Sequence, residues 1–315
     1  MPTWPRVSII TPSYNQAEFL EQTIRSVLEQ NYPELEYIII DGASRDNSPE
    51  IIQKYASHLA YWVSEPDHGQ AEAINKGFQR ASGEIIAWLN SDDVYTPGAI
   101  QAAVQALQAA QTAGFVYGNT LSMDEKGQVF HVTEYGDWSL EDLMCFNIIG
   151  QPGVFMRRSV LQKAGGLNPD LHYMLDHQLW LRMALLAPFE HKNQVWASAR
   201  FHANAKNVSQ GVGFGNEALK LVQWMESAPE FSVLNPQLSR KVRAGAYRLN
   251  GWYLSEGQNG WPAFKFYLRS FLQHPPTALR DWKRILYSFG LIFKATWVRD
   301  LYAKVRSGRA RQKGF

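Results

Sequence analysis

Along the first hundred residues, short apolar runs alternate with stretches whose apolar residues recur at three- and four-residue spacing. The runs are Val7 to Thr11, Leu35 to Ile40, Tyr61 to Val63 and Ile85 to Leu89. Bounded by Gly, Pro and polar residues, runs of this length predict buried strands. Between them, three sets stand at helical spacing: Leu20, Ile24, Val27 and Leu28; Ile51, Ile52, Tyr55 and Leu59; Ala71, Ile74, Asn75 and Phe78. Strand and helix in strict alternation predict a mostly parallel sheet flanked by helices, an α/β fold with right-handed crossovers. Each strand ends in a polar, turn-rich loop, and in such sheets those loops collect on one edge, where ligands bind. Here they carry Asp41, Asp46, Glu65, Asp67, Asp92 and Asp93. Like charges gathered in one place repel unless a cation or another partner compensates them.

The sharpest break in the pattern is Gly83 to Asp93, GEIIAWLNSDD, where the last apolar run stops at Asn90-Ser91-Asp92-Asp93. Successive residues of an extended chain point in opposite directions. One carboxylate can then face a metal while its neighbour faces a sugar or the supporting backbone. The alternative is a solvated strand end with a turn or helix cap. After a helix near Pro97 to Gln111 the texture changes. Strands are expected at Phe115 to Asn119 and Val129 to Tyr135 around the Asp124–Gly127 turn, then at Val154 to Arg157 and Val195 to Phe201. Ser159 is expected to cap a short helix that ends at Gly165-Gly166. Asp176 opens another, with Leu179, Leu181, Met183 and Leu186 as apolar members. Beyond Gly215 the chain reads as helical. The expected division is residues 1–212, in halves 1–112 and 113–212, followed by a helical, aromatic and basic region 213–315.

Composition narrows this picture. The chain of 315 residues is 45% hydrophobic and 19% charged, which suits a globular enzyme with a sizeable core. A single cysteine, Cys145, allows no intrachain disulfide and is compatible with a reducing cytosol. Met1 to Arg6 lead straight into the first strand, so no signal peptide is expected. No stretch approaches the ~20 apolar residues that span a bilayer. The net charge of +2 hides an asymmetry: residues 276–315 carry ten Lys or Arg against Asp281 and Asp300, a formal +8 that leaves −6 for the rest. That tail suggests an acidic partner. An anionic membrane surface is the expected one, at the inner face of the cell membrane, because no nucleic-acid-binding motif accompanies the charge. For residues 215–275 the expectation is a helical appendage with its aromatics packed inward. The loop after the first strand, TPSYNQ, has no GxGxxG and no GxxxxGK[ST], which disfavours a dinucleotide fold and a P-loop. No Cys/His metal cluster and no GxSxG elbow is present.

The segments VSIITPSYNQ, IIIDGASRDNS and EPDHGQAEAINKGFQRASGEIIAWLNSDD, in this order and spacing, resemble the donor half of a family-two inverting glycosyltransferase of the A-type fold. The later YMLDHQLWLRMA and RFHANAKNVS resemble its acceptor half. The resemblance spans roughly residues 5–210 and implies transfer of a sugar from a nucleoside-diphosphate sugar, a UDP-sugar favoured, to a glycan or lipid-linked saccharide.

It also implies roles. Thr11, Pro12 and Tyr14 would wall the nucleoside pocket, with Tyr14 the stacking ring or a core residue. Asp41 would accept a hydrogen bond from the base, or cap the Gly42–Asp46 turn. Gln70 and Asn75 would join the nucleotide site. Asp93 would ligate Mn²⁺ or Mg²⁺ on the diphosphate, and Asp92 would hold the sugar or ribose hydroxyls. His202 would be a further ligand or phosphate contact, or a satisfied structural histidine. Asp176 would be the general base, or a helix cap favoured by the dipole. Many relatives carry an acid where this chain has Leu175. QLWLR replaces the QxxRW of processive synthases, which implies transfer of a single sugar. Two other classes compete: a nucleotidyltransferase, which would carry a Gly- and cation-rich loop after its first strand, and a non-catalytic nucleotide- or carbohydrate-binding relative.

Overall fold

The computed structural model describes residues 4–203, 205–206, 210–232 and 235–293. Contact clustering divides the chain into two compact units, the first made of residues 1–123, 132–137 and 149–200, the second of 124–131, 138–148 and 201–315. The second unit thus begins at Phe201 and takes in two earlier stretches, where the sequence suggested one division near residue 212.

In the first unit the alternation appears as expected. Strand β1 (Val7–Ser13), helix α1 (Ala17–Leu28), β2 (Leu35–Asp41), α2 (Ser48–Lys54), β3 (Tyr61–Ser64), α3 (Gln70–Arg80) and β4 (Ile85–Trp88) follow one another. Then come β5 (Val94–Tyr95), α4 (Ala99–Ala109), β6 (Phe115–Met123), β8 (Val154–Arg157), α6 (Arg158–Ala164), α7 (Leu175–Leu186) and β9 (Phe189–Arg200); between β6 and β8 in the chain are β7 (Val129–Thr133), divided between the two units, and α5 (Leu140–Met144), which belongs to the second. The sheet order is β3-β2-β1-β4-β8-β6-β9-β5. β1 pairs parallel with β2 and β4, and β2 with β3. The register sets Ser13 beside Asp41 and Asp41 beside Ser64, so the carboxyl ends share one edge. β8 then runs antiparallel between β4 and β6, which makes the whole sheet mixed.

The apolar periodicity explains the layers. Leu20, Ile24 and Val27 of α1, with Ile100, Ala103, Val104 and Leu107 of α4, bury against Val7, Ile9, Tyr37, Ile39 and Ala87 of the sheet. Each Val, Leu or Ile among them contributes about 1.5–3 kcal/mol of burial. Two strands are longer than their apolar pattern. β6 buries all nine residues, including Thr120 and Ser122, whose hydroxyl groups hide it from a hydrophobic reading. β9 begins with Phe189-Glu190-His191-Lys192-Asn193-Gln194, a mostly polar stretch paired to β6 through a bulge at Gly118–Thr120.

In the second unit, α8 (Gly211–Ser227), α9 (Pro236–Glu256), α10 (Gly260–Gln273), α11 (Pro275–Leu279) and α12 (Trp282–Ile292) form a helical array. α9 packs on α8 and on α10, and α12 packs on α10. Among the described residues no helix is long and apolar enough to cross a membrane. Helix α5 is fixed by a capping box in which Ser139 and Asp142 satisfy each other's amides. Just beyond it lies Cys145, 2% exposed, its thiol pushed up to about 11 by burial. At pH 8 the thiolate is therefore scarce. Native protein is expected to resist iodoacetamide over an hour and to be labelled promptly in denaturant. Fast native labelling at one site would contradict the packing of this segment.

Candidate active site

The loops at the carboxyl edge of the first sheet are bound to one another before any ligand is considered. Asp41 is fully buried. The Ser44 amide and hydroxyl donate to its carboxylate at 2.9 and 2.5 Å, and the Ser64 hydroxyl donates at 2.6 Å. The Ser44 hydroxyl accepts from the Asn15 amide at 2.8 Å, and Asn15 Oδ1 accepts from the Arg45 amide at 2.8 Å. Asp46 accepts from the amides of Ala17 and Ser48, which ties the starts of α1 and α2 together and holds its carboxyl below the usual range against the opposing effect of partial burial. The turn-cap alternative for Asp41 is thus the one whose bonds are made.

Tyr14 is 59% exposed and sits over Gly42. A Cβ on Gly42 would come within 2.7 Å of Asp67 Oδ2 and 3.3 Å of the Tyr14 ring, so this backbone must lack a side chain for the two to close over it. Tyr14 is therefore a presented ring. Thr11 differs from its expected place on the pocket wall. It is fully buried, and its hydroxyl lies 3.0 Å from the Tyr37 phenol, because it shares the sheet face of Val7 and Ile9. Pro12 is buried as well.

Several of the gathered acids are compensated within the fold. Glu65 and Glu72 share Lys76 at 3.0 and 3.2 Å, and Asp67 accepts from the Gly69 amide at 2.8 Å. Hydrogen bonds from the His68 amide and ring, and then from Lys76, hold the Glu72 carboxyl down to about 2. Asp92 and Asp93 behave otherwise. Asp93 is 5% exposed, and its carboxyl is raised well above the usual range, first by burial and then by the charge of Asp92. It accepts from the Arg200 amide at 2.9 Å. Asp92 is the more accessible of the two.

Arg200 was not assigned a role from the sequence, yet it organises this corner. It is 3% exposed, its Nε donates to the Asp92 carbonyl at 2.9 Å, its guanidinium donates to Gln22 at 2.5 Å and it lies over the Phe19 ring. It ends β9, more than a hundred positions from Asp93, so no local pattern could have joined them.

A second polar chain crosses the sheet edge. Gln70 donates to Asn90 Oδ1 at 2.8 Å, Asn90 donates to Gln151 at 3.3 Å, and Gln151 donates to the Trp88 carbonyl at 2.7 Å. Gln151 and Asn90 also escaped the sequence reading, although Gly150-Gln151-Pro152-Gly153 marked a turn there. Asn75 is a structural clamp: its amide donates to the Leu167 carbonyl at 2.8 Å and accepts from the Leu167 amide at 2.9 Å. Arg182 holds the same turn through the carbonyls of Ala164 and Gly166, and its Nε donates to Gln178 at 3.1 Å. Asn75→Ala is expected to cost about 1–3 kcal/mol of stability, seen by urea unfolding, with nucleotide affinity within twofold of wild type. A large loss of affinity at normal stability would return Asn75 to the binding site.

Asp176 lies in the first turn of α7, half-buried, accepting from the His177 amide at 2.7 Å. One turn on, Trp180 stacks on Trp88 at 5.3 Å, which seats the start of α7 beside the end of β4. Tyr135 also neighbours Asp176. Burial pushes its phenol up to about 12, a hydrogen bond with Thr120 at 2.8 Å acts against that, and the Asp176 charge adds to it. His202, expected near the metal, belongs to the second unit, where it is buried and its carbonyl accepts from the Ala205 amide.

A family model described as "Glycosyl transferase family 2" matches residues 8–165. The chain belongs to this glycosyltransferase family. Curated relatives agree. An "Uncharacterized glycosyltransferase" of Mycobacterium tuberculosis is 32% identical over 189 residues, covering 59% of this chain and 71% of the relative. The "Putative teichuronic acid biosynthesis glycosyltransferase TuaG" of Bacillus subtilis is 32% identical over 192 residues, covering 58% and 74%. Among solved structures, S. aureus TarS 1-349 in complex with UDP-GlcNAc superposes with a TM-score of 0.61 at 16% identity, covering 96% of this chain and 92% of that one. The mannosyltransferase PcManGT from Pyrobaculum calidifontis, in complex with GDP-Man and Mn2+, gives 0.60 at 22% identity, covering 94% and 88%. These likenesses establish the glycosyltransferase A-type fold.

Proposed function

We propose that the protein moves one sugar from a nucleoside-diphosphate sugar to a hydroxyl of a glycan or lipid-linked saccharide, with inversion at the anomeric carbon, in cell-surface polysaccharide assembly. The observation that carries this reading is the placement of Asp176. It starts α7 beside β4, the strand that leads into Asn90, Asp92 and Asp93, while Tyr14 is presented from the loop after β1.

A divalent cation, Mn²⁺ or Mg²⁺, fits the donor set. Asp92 and Asp93 are adjacent carboxylates whose mutual repulsion is felt at Asp93, and hard oxygen donors suit these ions. Among the described residues no three metal-ligating side chains cluster, so phosphate and water oxygens would complete the coordination. Asp92 is the better direct ligand, because the Asp93 carboxylate is buried against the Arg200 amide. Asp93 then holds the strand end in place, which exchanges the roles expected for the pair. When bound, the cation would supply charge neutralisation on the leaving diphosphate.

The residues of the chain do the rest. Asp176 takes the proton from the acceptor hydroxyl as its oxygen forms the bond to the anomeric carbon. The bond from that carbon to the diphosphate oxygen breaks on the opposite face, and its electron pair leaves with the diphosphate. Tyr14 offers a stacking face to the base. Asp41 and Asp46 keep its loop in register with the next.

Product analysis tests this. Incubated with a nucleotide sugar and Mn²⁺, the protein should release nucleoside diphosphate in step with sugar transfer or slow hydrolysis. Pyrophosphate release would point to a nucleotidyltransferase. TPSYNQ, with neither glycine nor cation, disfavours that class.

A further inference from the structure

Among the described residues, the helices of the second unit leave a large apolar face exposed, and most of the charges around it are positive. On α10, Trp261, Lys265, Leu268 and Leu272 fall at intervals of four, three and four, one stripe opposite the buried Ala263, Tyr267 and Ser270. On α12, Trp282, Leu286, Phe289 and the adjoining Phe293 repeat the same spacing, opposite the buried Tyr287, Ser288 and Gly290. Trp261 is 54% exposed, Leu272 66%, Trp282 53%, Leu286 59% and Phe293 67%. Up to residue 275 most aromatics turn inward as expected, Phe231 and Tyr267 fully so; Trp261 and Phe271 are the exposed exceptions.

The two stripes join. Trp261 stacks on Phe264 at 6.2 Å, Phe264 meets Phe289 at 5.7 Å and Phe289 meets Phe293 at 5.1 Å. Lys265 lies over the Trp261 ring at 5.1 Å and Lys283 over the Trp282 ring at 5.5 Å. From residue 257 to 293 the chain carries Lys265, Arg269, Arg280, Lys283 and Arg284 against one acid, Asp281. Asp281 is turned inward, its side chain 14% exposed and bonded to Arg248 at 3.2 Å. The face is thus apolar, rich in Trp and Phe, and fringed mostly by cations: Arg284 is paired with Glu256 at 3.7 Å, while Lys265, Arg269, Arg280 and Lys283 are exposed.

We propose that this α10–α12 face is a docking surface for an anionic lipid bilayer. Trp and Phe insert at the headgroup boundary, Leu268, Leu272 and Leu286 reach the first methylenes, and the Lys and Arg side chains meet lipid phosphates. The charge pattern selects this occupant. A second copy of the chain would bring the same cations against themselves, whereas an anionic surface is complementary. The sequence-level expectation placed membrane binding in the basic segment 276–315. Its residues 294–315 lie outside the described ones. The structure adds a face that begins on α10, at Trp261. The inference deepens the proposed use of lipid-linked acceptors and rests on that reading only for its purpose, not for its geometry.

The test uses the full chain and vesicles of phosphatidylcholine with or without about a third phosphatidylglycerol. Wild type should co-sediment with the anionic vesicles and be released by salt, as screening of surface charge requires. Lys265→Gln with Lys283→Gln should lower partitioning roughly 30-fold, from about 1 kcal/mol per cation near the surface. Trp282→Ser with Phe289→Ser should lower it further, with unchanged nucleotide-dependent thermal shift in both variants. Because substitutions can perturb folding, wild type is also read directly: brominated lipids should quench its tryptophan fluorescence, and less so in Trp261→Phe with Trp282→Phe. No binding to anionic vesicles overturns the proposal. So does a wild-type dimer that the Ser variant splits, which would assign the face to a second copy. So does binding lost only on deleting 294–315 and untouched by either double variant. A protein inactive on every nucleotide sugar yet bound to vesicles through this face would instead refute the proposed function and leave the docking surface standing.

Discussion

Asp176→Asn is expected to cut sugar transfer by roughly two orders of magnitude or more while donor affinity stays within about twofold, the pattern of a lost general base. The substitution is nearly isosteric. An Asn Oδ1 can still accept from the His177 amide, so the first turn of α7 keeps its local bond. What disappears is the ability to take a proton. Donor affinity is the control because the corner proposed to take the diphosphate, where Arg200 bonds to Asp92 and Asp93, does not include Asp176. A merely capping Asp176 would show the opposite split: a modest loss of stability, about 0.5–2 kcal/mol, and near-normal turnover. Rate in single turnover, donor affinity by titration and urea midpoint together separate the two. Unchanged turnover removes Asp176 from the chemistry.

The second large effect concerns the acidic pair. In wild type, a nucleoside diphosphate should bind more weakly after chelation, and Asp92→Ala should abolish that difference, lowering cation-dependent affinity by roughly tenfold or more. Asp93→Asn should behave differently. Its carboxyl in the folded chain is raised above the ordinary value by burial and by Asp92. Between the two values the folded state binds more proton than the unfolded state, so stability falls as pH rises from about 4 through the folded-state value. Asn at this position can still accept from the Arg200 amide and carries no charge, so it should flatten that pH slope and leave the cation-free protein more stable near neutrality. Denaturant unfolding across this pH range checks it. A steeper slope in the variant, or chelator-insensitive nucleotide binding in wild type, would contradict the roles given to the pair.

Much of the fold could be read in advance because β1, β4 and most of β2 are buried on both faces and separated by strongly periodic helices. Local pattern dictates such elements. Asp92 and Asp93 were placed at a strand end for the same reason. The reading faltered where partners lie far apart in the chain. Arg200 meets Asp93, and Gln151 meets Asn90, only after β8 and β9 have joined the sheet. Thr11 and Asn75 look like ligand-facing polar groups, but one is bonded to the Tyr37 phenol and the other is spent on Leu167. A side chain's type is visible in sequence; its hydrogen-bond partner is not. The outward stripes of α10 and α12 illustrate a related limit. Helical spacing shows that apolar residues share a face without showing which face a neighbouring helix covers.

The most direct measurement of the central claim is thermal unfolding of the full chain with the common nucleoside-diphosphate sugars, each with Mn²⁺ and with chelator. One donor, or one base with its sugars, should raise the melting temperature in the presence of Mn²⁺, and chelation should remove most of that rise. If no nucleotide sugar shifts unfolding, or if the shift is identical with chelator, the acidic pair at the end of β4 does not serve a cation-bound diphosphate.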